Sequence, residues 1–210
     1  MFILGLTGSI GMGKSTAAEN FRRLGVPVHD SDATVHALMA KDGPAVAAIN
    51  QAFPGVVQDG VIDRLKLGAK VFGDDPALKE LEAILHPLVR VREKQFLALH
   101  GRIGTRAVVL DVPLLFETNG QLRCDAVAVV SAPYRTQRRR VMKRPGMTEE
   151  KFQNILKAQM LDQIKRNRAD FVISTGLGHA HSLRIIRDIV TLIRSVPGQK
   201  WPPFWQRRRT

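Results

Sequence analysis

Apolar and polar positions along this chain change period repeatedly. Phe2–Leu6 is a short continuous apolar run that reads as a buried strand, and Val26–His29, Ala107–Pro113, Ala126–Ser131 and Phe171–Ser174 repeat the signal. Helical patterns separate them. Ser15–Leu24 offers Ala17, Ala18, Phe21 and Leu24 for one face, Ala33–Met39 follows the second strand, and His179–Val196 closes the pattern as an amphipathic helix. Strands alternating with helices predict an α/β, three-layer fold around a five-stranded parallel sheet. Residues 40–106 break the alternation. They read as mostly helical: one stretch from Gly43-Pro44 to Phe53, one over Asp63–Phe72, and a long one opening at Asp74-Asp75-Pro76. Leu78, Leu81, Ile84, Leu85, Leu88 and Val89 keep core spacing there, and Pro87 predicts a kink or restart. The segment is too long for a simple crossover and is expected to be a helical insertion shaping an acceptor site.

The predicted organisation is a nucleotide-binding core from 1–39, 107–134 and 168–196. The insertion is 40–106, two lid helices occupy 135–167, and a tail runs over 197–210. The tail holds Trp201, Phe204, Trp205 and three terminal arginines, and it is expected to dock loosely or not at all.

The first strand runs into Gly8-Ser-Ile-Gly-Met-Gly-Lys-Ser15, a full match to G-x-x-x-x-G-K-[ST], with a helix directly behind. Glycines at 8, 11 and 13 let backbone N–H groups approach phosphate oxygens, and the helix N-terminus adds its positive dipole end. Gly11, Met12, Gly13, Lys14, Ser15 and Thr16 are therefore the candidate ATP contacts. Lys14 reaches toward the β- and γ-phosphates, and the Ser15 hydroxyl is a ligand for the Mg²⁺ that accompanies ATP. Asp111 ends an apolar strand and is the second candidate at the metal, directly or through water.

Asp30 and Asp32 stand at the carboxyl end of the second strand, where an open α/β sheet binds its ligands. One role for such a carboxylate is to orient or deprotonate an attacking hydroxyl; another is to cap a helix. Asp30 or Ser31 can serve as the cap, which leaves Asp32 for chemistry. His86 and Arg90 flank Pro87 and are candidates for the acceptor site, as are Leu114 and Glu117 in the loop after Asp111. Arg140 and Arg144 lie one turn apart in a basic helix, so they are expected to share a face and to close over the triphosphate.

Charge sharpens one point. The net +13 sits entirely in residues 131–210, which carry 18 Lys+Arg and 5 Asp+Glu, whereas residues 1–130 balance at 14 of each. A basic third suits a polyphosphate ligand as well as nucleic acid, and the phosphate loop favours the former. No apolar run is long enough to span a membrane. The single cysteine, Cys124, excludes an internal disulfide and fits a cytoplasmic chain, expected as a monomer.

Taken together, Leu6–Ser15, Asp30-Ser-Asp32, Leu85-His-Pro-Leu-Val-Arg90, Asp111-Val-Pro-Leu-Leu-Phe-Glu117, Gln137–Arg140 with Arg144, Gln159, and Arg168-Ala-Asp-Phe-Val-Ile173 resemble the dephospho-coenzyme A kinase family. The resemblance covers Met1 to about Arg194. It implies ATP-dependent phosphorylation of the ribose 3′-hydroxyl of dephospho-coenzyme A. Asp32 is then the base or hydroxyl-orienting group, Lys14 and Arg140 stabilise the transferred phosphoryl group, and His86, Arg90 and 113–117 lie near the acceptor. The family often carries asparagine before the glycine that follows its last strand; here the residue is Thr175. Two other readings are a kinase of nucleosides or nucleotides, and a basic nucleotide-dependent switch. A guanine-reading N-K-x-D stretch is absent from the sequence.

Overall fold

The computed structural model describes residues 1–202. The chain divides into two compact units, one formed by Met1–His29 with the chain from Leu99 onward, the other by Asp30–Ala98.

The first unit is built on a sheet in the order β2-β5-β1-β6-β7. Its strands are β1 (Phe2–Thr7), β2 (Val28–Asp30), β5 (Ala107–Asp111), β6 (Ala126–Ser131) and β7 (Phe171–Ser174). The β1–β5, β1–β6 and β6–β7 pairs run parallel, with Leu6 beside Asp111 and Thr7 beside Val129. This is the α/β sheet that the apolar runs predicted. β1 is the middle strand, buried at every position, and that is why its run lacks alternation. Helices α1 (Lys14–Arg23) and α9 (His179–Ser195) supply Ala17, Ala18, Phe21, Ile186, Ile189, Val190 and Ile193 to the core of this sheet.

Strand ends are fastened by carboxylates. Asp125 Oδ2 accepts from the Ile3 N–H at 2.7 Å, and Asp170 Oδ2 accepts from the Val127 N–H at 2.8 Å. Asp125 Oδ1 also accepts from the Gln199 and Lys200 N–H groups at 2.6 and 2.9 Å. The tail therefore docks as far as it is described, contrary to the sequence expectation. Trp201 lies against Gly101, where any side chain would meet the indole. Phe204, Trp205 and the terminal arginines lie outside the described residues.

The second unit contains α2 (Ser31–Leu38), α3 (Val46–Ala52), α4 (Arg64–Val71) and most of α5 (Asp75–Arg102). Leu38, Ile49, Phe53, Val56, Ile62, Leu67, Leu81 and Leu85 form its core. Asp63 caps α4, accepting from the N–H groups of Leu65 and Lys66 at 2.9 and 3.1 Å, as its position predicts. Two features differ from expectation. α5 runs through Pro87 as one helix of 28 residues rather than restarting. A small antiparallel hairpin, β3 (Val57–Gln58) with β4 (Val61–Ile62), interrupts the helices. Its turn is Asp59-Gly60, both at positive φ (50° and 76°), the conformation that a two-residue hairpin turn demands.

Helices α6 (Tyr134–Met142), α7 (Glu149–Ala158) and α8 (Asp162–Arg168) complete the first unit between β6 and β7. Thr148 caps α7, its hydroxyl accepting from the Lys151 N–H at 3.2 Å, with Glu149 and Glu150 in the first turn.

Candidate active site

The phosphate loop joins β1 to α1, and its glycines answer different demands. Gly8 is needed for space: a Cβ there would sit 2.6 Å from the Val130 carbonyl oxygen. Gly13 is needed for conformation, with φ 96° as the residue that opens α1. No side chain caps α1, so the N–H groups of its first turn are left facing outward at the positive end of the dipole. Ser15 and Thr16 in that turn are exposed. Such a loop binds anions.

At its floor, Lys14 Nζ lies 2.6 Å from Asp111 Oδ1, and the Asp111 side chain is 2 % exposed. Parallel pairing of β1 with β5 produces this meeting, because it sets Asp111 beside Leu6, just ahead of the loop. The structure thus joins two residues that the sequence singled out separately.

Arg140 is the third. It is half-buried in the last turn of α6, where Nη1 donates to Thr175 Oγ1 at 2.9 Å and to the Gly11 and Met12 carbonyls at 3.4 and 3.3 Å. Nη2 donates to the Thr175 carbonyl at 2.9 Å. Arg144 does not join it. α6 ends at Met142, and Arg144, which precedes Pro145, is exposed beyond the helix. Proline disfavours helical geometry in the residue before it, so the two arginines share no helical face.

Two glutamines hold the loop from above. The Gln137 side chain donates to the Ile10 carbonyl at 2.8 Å, and Gln159 Oε1 accepts from the Ile10 N–H at 3.1 Å. Met12 turns inward, 2 % exposed, with Sδ accepting from the Ala132 N–H at 3.2 Å.

The segment after β5 contains Leu114, which is exposed, and Glu117, which is engaged. Glu117 Oε1 lies 2.8 Å from the Nζ of the fully buried Lys165 and accepts from the Met160 N–H at 2.8 Å. Burial raises the Glu117 pKa, but the Lys165 and backbone hydrogen bonds outweigh it and hold the carboxyl below its ordinary value. Lys165 Nζ also donates to the Pro113 carbonyl at 3.4 Å, which the Thr7 hydroxyl reaches at 2.9 Å. Nearby in sequence, the Ser131 hydroxyl donates to Asp162 Oδ2 at 2.7 Å. Sequence reasoning missed Lys165, Ser131 and Asp162, since a lysine among Asp162–Arg168 looks like any other solvated charge.

The remaining candidates lie in the Asp30–Ala98 unit. Asp30 is the α2 cap, its Oδ1 accepting from the Ala33 N–H at 2.9 Å. Asp32 follows in the first turn, exposed, and makes no hydrogen bond or ion pair among the described residues. His86 is exposed on α5, and Arg90 lies 3.8 Å from the buried Glu93.

A nucleotide's Mg²⁺ asks for hard oxygen donors and keeps much of its coordination for water and phosphate. The Ser15 hydroxyl and the Asp111 carboxylate suit that demand. Among the described residues no group of three or more acidic, histidine or cysteine side chains forms a metal site of its own.

A strand-loop-helix anion cradle with a lysine on a buried strand-end aspartate, in a parallel sheet, defines a phosphate-loop nucleotide-binding fold. Comparison with known proteins narrows this. The dephospho-CoA kinase family model matches residues 2–179. A dephospho-CoA kinase of Paramagnetospirillum magneticum is 63% identical over 194 residues, 92% of each chain, and that of Rhodospirillum rubrum is 57% identical over 195 residues, again 92% of each. Among solved structures, TT1252 from Thermus thermophilus superposes with a TM-score of 0.80 at 36% identity, covering 94% of this chain and 98% of that one. The chain belongs to the dephospho-CoA kinase family, and its activity is the ATP-dependent phosphoryl transfer expected from the sequence.

Proposed function

We propose that this chain moves the γ-phosphoryl group of ATP directly onto the ribose 3′-hydroxyl of dephospho-CoA, giving CoA and ADP. The observation that carries the reading, beside family membership, is the Lys14–Asp111 pair under a glycine loop whose helix has no side-chain cap. In this account the N–H groups of Gly11, Met12, Gly13, Lys14, Ser15 and Thr16 hold the phosphates. Lys14 and Arg140 stabilise charge as it develops on the transferring group. Ser15 and Asp111 would hold Mg²⁺, which neutralises charge on the β- and γ-phosphate oxygens when bound.

Asp32 orients the acceptor hydroxyl and accepts its proton, and its lack of an internal partner keeps the carboxylate available for that task. His86, Arg90 and Leu114 serve the acceptor, as part of an acceptor-binding role for 40–106. Glu117 serves it from behind, since its Oε1 is committed to Lys165 and Met160. Helices in 135–167 act as the cover over the nucleotide, with Arg144 a longer-range contribution. A chain with one buried cysteine suits the reducing cytoplasm, where we expect it to work as a monomer.

A coupled ADP-release assay tests the reaction. Mg-ATP is offered with dephospho-CoA, with a panel of nucleosides and nucleotides, or with no acceptor. ADP release that depends on dephospho-CoA, with product mass raised by one phosphate, is the expected result. Release with nucleosides instead would overturn the acceptor assignment.

A further inference from the structure

Thr175 follows β7 directly. Its hydroxyl lies 3.4 Å from the Ser131 carbonyl and has two nearer partners. It donates to the Met12 carbonyl at 2.6 Å and accepts from Arg140 Nη1 at 2.9 Å. The Thr175 carbonyl accepts from Arg140 Nη2 at 2.9 Å, and its N–H donates to the Ser131 carbonyl at 2.9 Å. A Cβ on Gly13 would lie 3.3 Å from Thr175 Oγ1, so the last glycine of the loop rests beside this hydroxyl.

We infer that Thr175 is a positioning residue for phosphoryl transfer, its hydroxyl setting Arg140 and the Gly11–Gly13 stretch in one fixed relation. The inference rests on the reading of Arg140 as a catalytic residue. Three physical points lead to it. A guanidinium is a rigid planar fork, so holding Nη1 and Nη2 from one residue sets the plane of the whole group. A β-branched threonine is stiff at χ1, and this one is tied through its N–H to β6, so the holder is itself held. The third concerns capacity. Nη1 is shared among three oxygens, of which Thr175 Oγ1 is the nearest, and Arg140 Nε makes no bond among the described residues. Donors therefore remain for a phosphate oxygen.

The hydroxyl also links cause to place. The Met12 carbonyl that it binds belongs to the loop whose N–H groups face the phosphates. Moving that peptide and moving Arg140 are thus one event rather than two. Loss of the hydroxyl leaves Nη1 with only its longer contacts to the Gly11 and Met12 carbonyls, at 3.4 and 3.3 Å, while Nη2 keeps the Thr175 carbonyl.

The test uses the full chain in four forms beside wild type: Thr175→Val, Thr175→Ser, Arg140→Ala and the Thr175→Val/Arg140→Ala pair. Thr175→Val keeps the shape and removes the hydroxyl. It should lower kcat about tenfold, the scale of a hydrogen bond to a charged group, with both KM values within about twofold. Thr175→Ser restores the hydroxyl and should recover most of the loss. The double variant should be no slower than Arg140→Ala within about twofold, because both changes act through one guanidinium.

The inference is overturned if Thr175→Val keeps kcat while Arg140→Ala loses it, or if Thr175→Ser is as slow as Thr175→Val. It is overturned too if the double variant loses the product of the two single effects. An Arg140→Ala enzyme that keeps full turnover would remove the catalytic reading of Arg140 first, which separates the two failures. Thermal melts accompany each assay, and Thr175→Ala carries the same comparison if Thr175→Val does not fold.

Discussion

In the sheet unit Lys14, Asp111, Arg140 and Glu117 are already engaged, whereas in the Asp30–Ala98 unit Asp32 makes no hydrogen bond or ion pair among the described residues. Lys14 holds Asp111, Arg140 spans the loop and Thr175, and Glu117 is fixed by Lys165 and Met160. Asp32 and His86 are exposed. The difference matches two chemical tasks. A triphosphate is bound by donors whose reorganisation has been completed during folding. A group that must take a proton from an incoming hydroxyl does best with its lone pairs uncommitted.

The sharpest way to break this contrast is Asp32→Asn. It should cut kcat about 10²–10⁴-fold, the range for losing a general base, and leave ATP affinity within about twofold. Isothermal titration beside turnover separates the two, and near-normal turnover would strip Asp32 of its role. Next comes Lys165→Met, which leaves the Glu117 carboxylate without its cation. It should cost about 3–5 kcal/mol in stability, measured by denaturant unfolding, and adding Glu117→Gln should return much of that.

Acid provides a smaller probe of the same pair. The Glu117 pKa is lowered in the folded state from its ordinary 4.5. Its stabilisation is therefore full above about pH 4.5 and disappears as pH falls through the lower folded value. In that window the wild-type melting temperature should drop more steeply than that of Glu117→Gln, and parallel slopes would refute the linkage. The smallest effect should come from Arg138→Ala. Arg138 Nη2 lies 2.9 Å from Glu149 Oε2 on the surface, and losing so exposed a pair should leave the melting temperature nearly unchanged.

Local pattern revealed the strands, the phosphate loop and the two ends of the Lys14–Asp111 pair. Each of those depends on period or on residues a few positions apart. The β3–β4 hairpin was missed, although Asp59-Gly60 between its strands is a strong short hairpin signal. What stayed hidden depends on distant contacts. Lys165 finds Glu117 across 48 positions of a folded chain, and Thr175 finds Met12 across 163. Nothing local in the sequence announces either pairing. The Arg140–Arg144 face failed for a local reason that spacing ignores: Pro145 ends helical geometry before Arg144.

The hold on Ile10 has a consequence for exchange with heavy water. Its N–H is bonded to a side chain, Gln159 Oε1, rather than to a neighbouring strand or turn of helix. That amide can thus exchange only when the joint after α7 lets go, whatever the sheet is doing. Deuterium uptake at this one position is a clock for the coupling between the loop and the helices around it. If nucleotide tightens that coupling, uptake at Ile10 should slow while the rest of the loop's hydrogen bonds stay as they are.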